Sequence, residues 1–339
     1  MNLSPGKQKG LELISNENNI ILATAMDQRG SLGKMIQSFT DSLSYEEGLN
    51  QFKEGVSEVL GNHSSSLLLD PEYGWSAAKK LNKDIGLIMA YEKTGYDANE
   101  KGRLPNLVDD YAVQDLVKEG TSALKLLVYY DHNEDEKYNK IKKAFIKRIG
   151  DECKQNDLLF ILEPVSYSAE GLSEKSAEFA KIKPEIIEYF MTEFSKEEYG
   201  IDLLKVEVPV SIFNIEGYEQ YDNYQPVFSK EEATKYYYNC SEKSRLPFIY
   251  LSGGVTNEQF IETLHFAKNA KSKFCGILCG RATWKDGIET FAKEGKEAYY
   301  QWLGTKGIDN LNKVNEAVTE TAVPWTNFEI SNAKTISKG

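Results

Sequence analysis

The chain has 339 residues and carries 40 Lys and Arg against 52 Asp and Glu, a formal net charge of −12, with 41% of its residues apolar. A chain of this length buries roughly three quarters of its unfolded surface, so its core needs no disulfide or metal. The acidic balance and interleaved cations disfavour nucleic acid as a partner, and no apolar run reaches the ~18 residues of a membrane span. With no secretory signal and four unpatterned cysteines, we expect a cytoplasmic protein.

Short apolar segments of strand length alternate with amphipathic stretches along the chain. Ser44 with Glu47, and Thr256 with Gln259, have the spacing of helix-capping boxes. Alternating strands and helices predict a parallel sheet, and eight such units predict one closed (β/α)8 TIM barrel domain over 1–339 with terminal extensions. A doubly wound open sheet is the alternative, but no Gly-rich fingerprint follows an early strand. The predicted strands are 20–26, 66–70, 85–92, 123–131, 158–166, 203–210, 248–255 and 274–282.

Three segments carry separate expectations. Residues 137–148 are locally basic, and Ile141, Phe145 and Ile149 recur at helical spacing, which favours a solvated helix face over a nucleic-acid site. Residues 211–228 are rich in Tyr and Asn, as in a lid or an interface element, though a plain surface insertion fits equally. We expect the tail, residues 327–339, to be mobile.

Charged residues fall at inward positions near the ends of the predicted strands. Period-2 alternation points Lys125, Glu163 and Lys205 into the barrel, because their apolar neighbours must meet the helices. Lys125 and Lys205 would then be neighbours that lower each other's pKa, and a buried neutral lysine is a Schiff-base nucleophile. The alternative is a pair of structural lysines neutralised by Glu163 and Glu207. Spacing alone does not decide which lysine reacts.

The loops after the last two predicted strands have the character of a phosphate site. Ser252, Gly253 and Gly254 follow strand 7, while Gly280 and Arg281 follow strand 8, where this fold often binds phosphate. The three histidines are scattered, and no metal-binding or nucleotide-binding motif occurs. The sequence therefore predicts amine chemistry on a phosphorylated carbonyl compound, without a metal or other cofactor.

Several longer runs resemble one family. ATAMDQRGSL (23–32), LLLDPEYG (67–74), AYEKTGYD (90–97), LKVEVPV (204–210), LSGGV (251–255) and LCGRATW (278–284) resemble tagatose 1,6-bisphosphate aldolase, a class I aldolase family. The resemblance implies a metal-free (β/α)8 barrel that cleaves tagatose 1,6-bisphosphate to dihydroxyacetone phosphate and glyceraldehyde 3-phosphate in lactose and galactose degradation. It also implies roles for four residues: Lys205 as the Schiff-base lysine, Glu163 as the acid and base, and Lys125 and Asp27 as supporting groups.

The same resemblance places Ser252, Gly253, Gly280 and Arg281 in the phosphate loops. Gln28 and Arg29, at the end of strand 1, complete the expected substrate set, with Arg29 assigned to the 6-phosphate. The alternatives are an aldolase for another ketose phosphate, such as fructose 1,6-bisphosphate or sulfofructose 1-phosphate, and a non-catalytic sugar-phosphate sensor. We also expect a homodimer, because many barrels pair through their outer helices; stereopreference at C4 is not predicted.

Overall fold

Eight parallel strands close into a barrel in chain order in the computed structural model, which describes residues 3–93 and 100–328. Each strand pairs with the next, and β1 pairs with β8. The predicted (β/α)8 barrel is confirmed, and every predicted strand contains an observed one. The strands are β1 (Ile21–Ala25), β2 (Ser66–Leu69), β3 (Gly86–Ala90), β4 (Ala123–Tyr130), β5 (Leu159–Ser166), β6 (Leu203–Val206), β7 (Phe248–Leu251) and β8 (Gly276–Cys279).

Helices surround the barrel, and a short one precedes it. Ser44 and Thr256 accept hydrogen bonds from the backbone N–H of Glu47 and Gln259, as in the predicted capping boxes. None of the helices within residues 3–93 and 100–328 is long and apolar enough to cross a membrane. The helices are α1 (Pro5–Leu13), α2 (Gly30–Gln37), α3 (Tyr45–Val59), α4 (Trp75–Ala78), α5 (Val113–Lys118), α6 (Glu136–Gln155), α7 (Ala177–Glu193), α8 (Lys230–Lys243), α9 (Asn257–Asn269), α10 (Arg281–Trp284), α11 (Gly287–Glu294), α12 (Lys296–Trp302) and α13 (Ile308–Thr321).

Strand alternation divides the buried residues into two clusters. The outer cluster joins strand residues such as Leu124 and Leu204 to the surrounding helices. The inner cluster fills the lower barrel, and Leu11 of α1 and Trp325 belong to it. Successive inward positions on each strand continue from this apolar layer toward the carboxyl ends, so the next inward residues on several strands form the layer above it. The strand residues of the inner cluster are Ile21, Ala23, Ala25, Leu68, Ile88, Ala90, Ala123, Leu159, Ile161, Leu203, Ile249 and Leu278.

The buried face of α6 differs from the predicted one. Ile141 is exposed, whereas Asn139, Lys142 and Ile146 face the barrel. The expectation of a solvated basic face is therefore wrong at Lys142, whose side chain lies against aromatic rings. A lysine can be buried in this way because its four methylenes pack like an apolar side chain.

The Tyr-rich segment 211–228 packs on the outer helices. Tyr218 is buried, its ring meets Phe266 edge-on, and its hydroxyl donates to Glu262 of α9. Gln259 of α9 donates to Asn223, which holds the far end of the segment. These contacts make the segment part of the helical layer.

The predicted mobile tail begins with Asn327, which is exposed, and Phe328, which packs against the barrel. The ring of Phe328 meets Phe248 edge-on, and its N–H donates to the carbonyl of Trp325. The rest of the predicted tail, residues 329–339, lies outside the described residues.

Candidate active site

Four of the predicted residues meet at the carboxyl ends of the strands. Lys125 of β4 lies 2.8 Å from Asp27 and 3.1 Å from Glu163, measured from Nζ to the carboxylate oxygens. Lys205 of β6 lies 2.8 Å from the other oxygen of Glu163. All four follow small or apolar inward residues of the lower barrel, so strand alternation alone brings them into one layer. Glu163 bridges the two lysines.

Glu92 is a member of this cluster that the sequence analysis did not single out. One of its carboxylate oxygens lies 2.5 Å from Lys125 Nζ, and the other accepts a hydrogen bond from the Leu127 N–H at 3.0 Å. It is 5% exposed. The signal was present, because Glu92 continues the inward series of Ile88 and Ala90 just beyond the end of β3.

The surroundings of the two lysines differ in charge. Burial lowers the pKa of Lys125, but the charges of Asp27, Glu163 and Glu92 outweigh it and raise that pKa well above its usual value. The expectation that the two lysines lower each other's pKa is therefore wrong for Lys125. Lys205 pairs with one of these carboxylates, Glu163, among the described residues. Lys125 is thus a permanent cation surrounded by three carboxylates, whereas Lys205 has one adjacent carboxylate among the described residues.

Asp27 is held in its ionised form. Burial acts to raise its pKa, but the charges of Lys125, Lys205 and Lys53 and a hydrogen bond from Lys125 lower it below the usual range. Asp27 is therefore a carboxylate at any working pH.

Glu207, the alternative partner for a structural lysine, points elsewhere. Its carboxylate accepts from the N–H and hydroxyl of Ser166 at 2.7 and 2.5 Å. It also lies 3.0 Å from Lys183 of α7. Among the described residues, Glu207 is not an ion-pair partner of Lys205.

The loops after β7 and β8 are closely packed against each other. Gly253 and Gly254 adopt φ values of 61° and 81°, which favour glycine. A β-carbon on Gly254 would lie 2.8 Å from a guanidinium nitrogen of Arg281, so the arginine lies over the glycine turn. Ser252 is 8% exposed, at the base of the same turn. Backbone N–H groups and an exposed arginine thus meet at one edge of the barrel mouth, an arrangement suited to an anion.

The end of β1 contributes two residues with different surroundings. Gln28 approaches Gly280, and its side-chain carbonyl oxygen is buried without a hydrogen-bond partner among the described residues. Arg29 is 3% exposed and donates to Glu72 and to the carbonyl oxygen of Glu92, each at 2.7 Å. Gln28 therefore has an acceptor available to a ligand, while Arg29 has two of its three nitrogens engaged.

A second buried ion pair supports this part of the mouth. Lys53 of α3 pairs with Asp70 and donates to the carbonyl oxygen of Met26, the residue before Asp27. Asp70 also accepts from the N–H groups of Glu72 and Tyr73 at 3.1 and 2.9 Å. The pair ties the ends of β1 and β2 together. Within the described ranges, no cluster of three or more His, Cys, Asp or Glu has the arrangement of a metal site.

Comparison with known proteins agrees with this architecture. The DeoC/LacD family aldolase profile matches residues 21–286, which is most of the chain. The chain belongs to the DeoC/LacD aldolase family. The tagatose 1,6-diphosphate aldolase 2 of Enterococcus faecalis is 46% identical over 325 residues, covering 96% of this chain and 97% of that protein. The tagatose 1,6-diphosphate aldolase of Listeria monocytogenes is 44% identical over 323 residues, covering 95% and 94%.

A solved structure supports the fold independently. The fructose-bisphosphate aldolase of Plasmodium falciparum superposes with a TM-score of 0.66 at 14% sequence identity, covering 95% of this chain and 97% of that one. At such low identity the similarity concerns the fold alone. The resemblance inferred from the sequence runs is thereby confirmed at the level of the family and the barrel.

Proposed function

We propose that this member of the family is a class I aldolase that cleaves tagatose 1,6-bisphosphate to dihydroxyacetone phosphate and glyceraldehyde 3-phosphate, with Lys205 as the nucleophile. The observation that carries the proposal is the unequal distribution of carboxylates: Lys125 touches Asp27, Glu92 and Glu163, and Lys205 touches Glu163. A Schiff base requires a neutral amine. Transfer of one proton over the 2.8 Å from Lys205 to Glu163 supplies that amine.

The reaction begins with formation of the Schiff base. The neutral amine of Lys205 attacks C2 of the ketone, and protonated Glu163 returns its proton to the departing hydroxyl, which leaves as water. The resulting iminium accepts the electrons of the C3–C4 bond once a carboxylate removes the proton of the C4 hydroxyl. Glu163, now ionised, or Asp27 is the base in this step.

The remaining steps release the two products in turn. Bond cleavage frees glyceraldehyde 3-phosphate and leaves an enamine on Lys205. Protonation of C3 restores the iminium, and water then hydrolyses it to dihydroxyacetone phosphate and the free amine. Lys125, as a permanent cation, holds Asp27 and Glu163 in place, and Arg281 with the turn at Ser252 and Gly253 anchors the 1-phosphate.

The proposal also covers the pathway, the compartment and the oligomeric state of the enzyme. A step in lactose and galactose degradation is proposed on the resemblance of the sequence runs to tagatose 1,6-bisphosphate aldolase, and the E. faecalis and L. monocytogenes relatives carry the name of that activity. Four free, buried cysteines suit the reducing cytoplasm. We propose a homodimer on the general tendency of barrels to pair through their outer helices, to be checked by light scattering after gel filtration.

Borohydride trapping tests the nucleophile. The protein is incubated with dihydroxyacetone phosphate and sodium borohydride, with and without EDTA, and the adduct is mapped by peptide mass spectrometry. We expect a reduced adduct on Lys205 that EDTA does not affect, and no adduct in Lys205→Ala. Lys183→Met serves as a matched control, because Lys183 is also an ion-paired lysine near the strand ends, yet it pairs with Glu207.

Two results would contradict the proposal. An adduct on Lys125 would move the nucleophile, and a folded protein without any adduct would favour the sugar-phosphate sensor. Cleavage rates on tagatose 1,6-bisphosphate, fructose 1,6-bisphosphate and sulfofructose 1-phosphate then establish the substrate; a clear preference for either of the last two would refute the assignment to tagatose 1,6-bisphosphate.

A further inference from the structure

The second phosphate of a ketose bisphosphate needs a cation away from the loops that hold the first. Residues Ser252 to Gly254 and Arg281 follow β7 and β8, next to β1 in the closed barrel. Arg29 follows β1, but its guanidinium reaches Glu72 and the carbonyl oxygen of Glu92, which lie beyond the ends of β2 and β3. These two groups engage two of its three nitrogens, and Arg29 is 3% exposed. A guanidinium with a weaker partner is therefore a better candidate for the distal phosphate, for which the sequence suggested Arg29.

The opposite rim of an eight-stranded barrel lies at β3 and β4. Arg103 belongs to the connection between these two strands. Its guanidinium carbon lies 5.2 Å from the ring centre of Tyr129, at the end of β4, and 4.5 Å from that of Tyr167, which follows β5. Tyr129 stands on the inward face of β4, four residues beyond Lys125, so Arg103 rests above the catalytic layer.

Electrostatics link Arg103 to that layer through Tyr129. Burial raises the pKa of the Tyr129 hydroxyl, the charge of Arg103 lowers it, and the charge of Glu163 raises it again. The Tyr129 hydroxyl therefore responds to the charges of both Arg103 and Glu163.

The arginine is well oriented and weakly neutralised. Tyr167, which stacks under it, is 3% exposed and fixed by hydrogen bonds with Lys142 at 3.0 Å and Glu134 at 2.9 Å. Among the described residues, the carboxylate partner of Arg103 is Glu174, at 3.0 Å, and the Glu174 side chain is 48% exposed. Exposed ion pairs of this kind contribute little, so a phosphate dianion can replace Glu174 as the partner.

We propose that Arg103, stacked on Tyr129 and Tyr167, binds the phosphate at the far end of the substrate and so selects bisphosphates over monophosphates. The inference rests on the proposed aldolase function. It assigns the substrate an orientation across the mouth, from the loops after β7 and β8 to the rim beside β4.

A ratio of specificities tests the assignment. kcat/KM is measured for tagatose 1,6-bisphosphate and tagatose 1-phosphate in the wild type, Arg103→Gln and Arg103→Lys. We expect the ratio of kcat/KM for the bisphosphate to kcat/KM for the monophosphate to fall about 10- to 100-fold in Arg103→Gln, because one charged hydrogen-bond donor is lost. The ratio should fall by less in Arg103→Lys, which keeps the charge. Arg148→Gln, on the exposed face of α6, is the matched control and keeps the wild-type ratio.

The outcomes separate this inference from the proposed function. A ratio within twofold of the wild type in Arg103→Gln, with the variant folded by circular dichroism, overturns the role of Arg103. Equal losses on both substrates do the same. Borohydride trapping of dihydroxyacetone phosphate, which has one phosphate, reports on the Schiff base separately, so its failure in the wild type overturns the aldolase proposal instead.

Discussion

Replacement of Lys125 by Met tests whether one buried cation holds the catalytic layer together. The substitution keeps the length of the side chain and removes its charge. Lys125 is 0% exposed, and Asp27 and Glu92 both lose their contact with an ammonium group, while Glu163 keeps Lys205. Removing one partner of a buried ion pair costs about 3–5 kcal/mol, because the other charge is left uncompensated.

The pH dependence of this loss has a definite sign. In the wild type the pKa of Asp27 is lowered, so its pairing stabilises the fold above its usual value of 3.8 and the stabilisation is lost as the pH falls below that value. In Lys125→Met, Asp27 loses the ammonium group that opposed the effect of its burial, so its pKa is higher than in the wild type. Asp27 then takes up a proton at a higher pH than in the wild type, which removes its uncompensated charge. We therefore expect the stability difference between wild type and variant to be largest at pH 7 and to shrink at pH 4.

Urea denaturation at pH 7, 5.5 and 4 measures the difference, and borohydride trapping measures Schiff-base formation in the same samples. Lys7→Met is the matched control, because Lys7 is also buried and lies 2.8 Å from Asp202 at the opposite end of the barrel. The control loses stability but retains trapping, whereas Lys125→Met loses both, with trapping slowed at least about 100-fold. Equal stability of Lys125→Met and wild type at pH 7, or a difference independent of pH, would refute the reasoning.

Two further changes act on single groups. Burial lowers the pKa of Lys142 to about 8, although Glu134 and Asp131 oppose the shift, so the folded state is penalised below pH 8 and the penalty is relieved as the pH rises toward 10.5. We therefore expect urea denaturation to give Lys142→Met a free energy of unfolding about 1–3 kcal/mol higher than that of the wild type at pH 7, and a smaller increase at pH 9.5. A variant less stable than the wild type at pH 7 would contradict this. Gly254→Ala places a methyl group at a φ of 81° beside Arg281, which must move. We expect about a tenfold rise in the dihydroxyacetone phosphate concentration needed for half-maximal trapping; an unchanged value would remove Arg281 from the phosphate site.

The barrel and its inward charges follow from local patterns. Continuous apolar runs separated by capped helices predict the strands, and period-2 alternation predicts that Lys125, Glu163 and Lys205 point inward. These regularities depend on neighbours a few residues apart, which the sequence shows directly. The same alternation also predicts that Glu92 points inward, although the sequence analysis did not single it out.

The unpredicted features depend on contacts between distant segments. Arg103 follows β3 by more than ten residues, and nothing in its neighbourhood indicates that it stacks on Tyr129 and Tyr167. Lys142 appears polar in any periodicity analysis, yet its methylenes and ammonium lie against two rings. The number of carboxylates around each inward lysine likewise depends on three strands and the loops after them.

The buried charges at the carboxyl ends of the strands make folding of that half of the barrel unfavourable. The apolar half at the amino ends has to offset this cost. Each ion removed from water carries a penalty of several kcal/mol that pairing only partly offsets. The apolar cluster below the charged layer has to supply the compensating stability, and it is closed at the bottom by Leu11 and Trp325, which lie outside the strand and helix repeats. Beside this cluster, Lys7 of α1 pairs with Asp202, and Asp202 accepts the N–H of Phe160 at the start of β5. The terminal extensions are therefore structural parts of the barrel, and loosening either one should weaken the strands that carry Glu163 and Lys205 before it affects the phosphate loops.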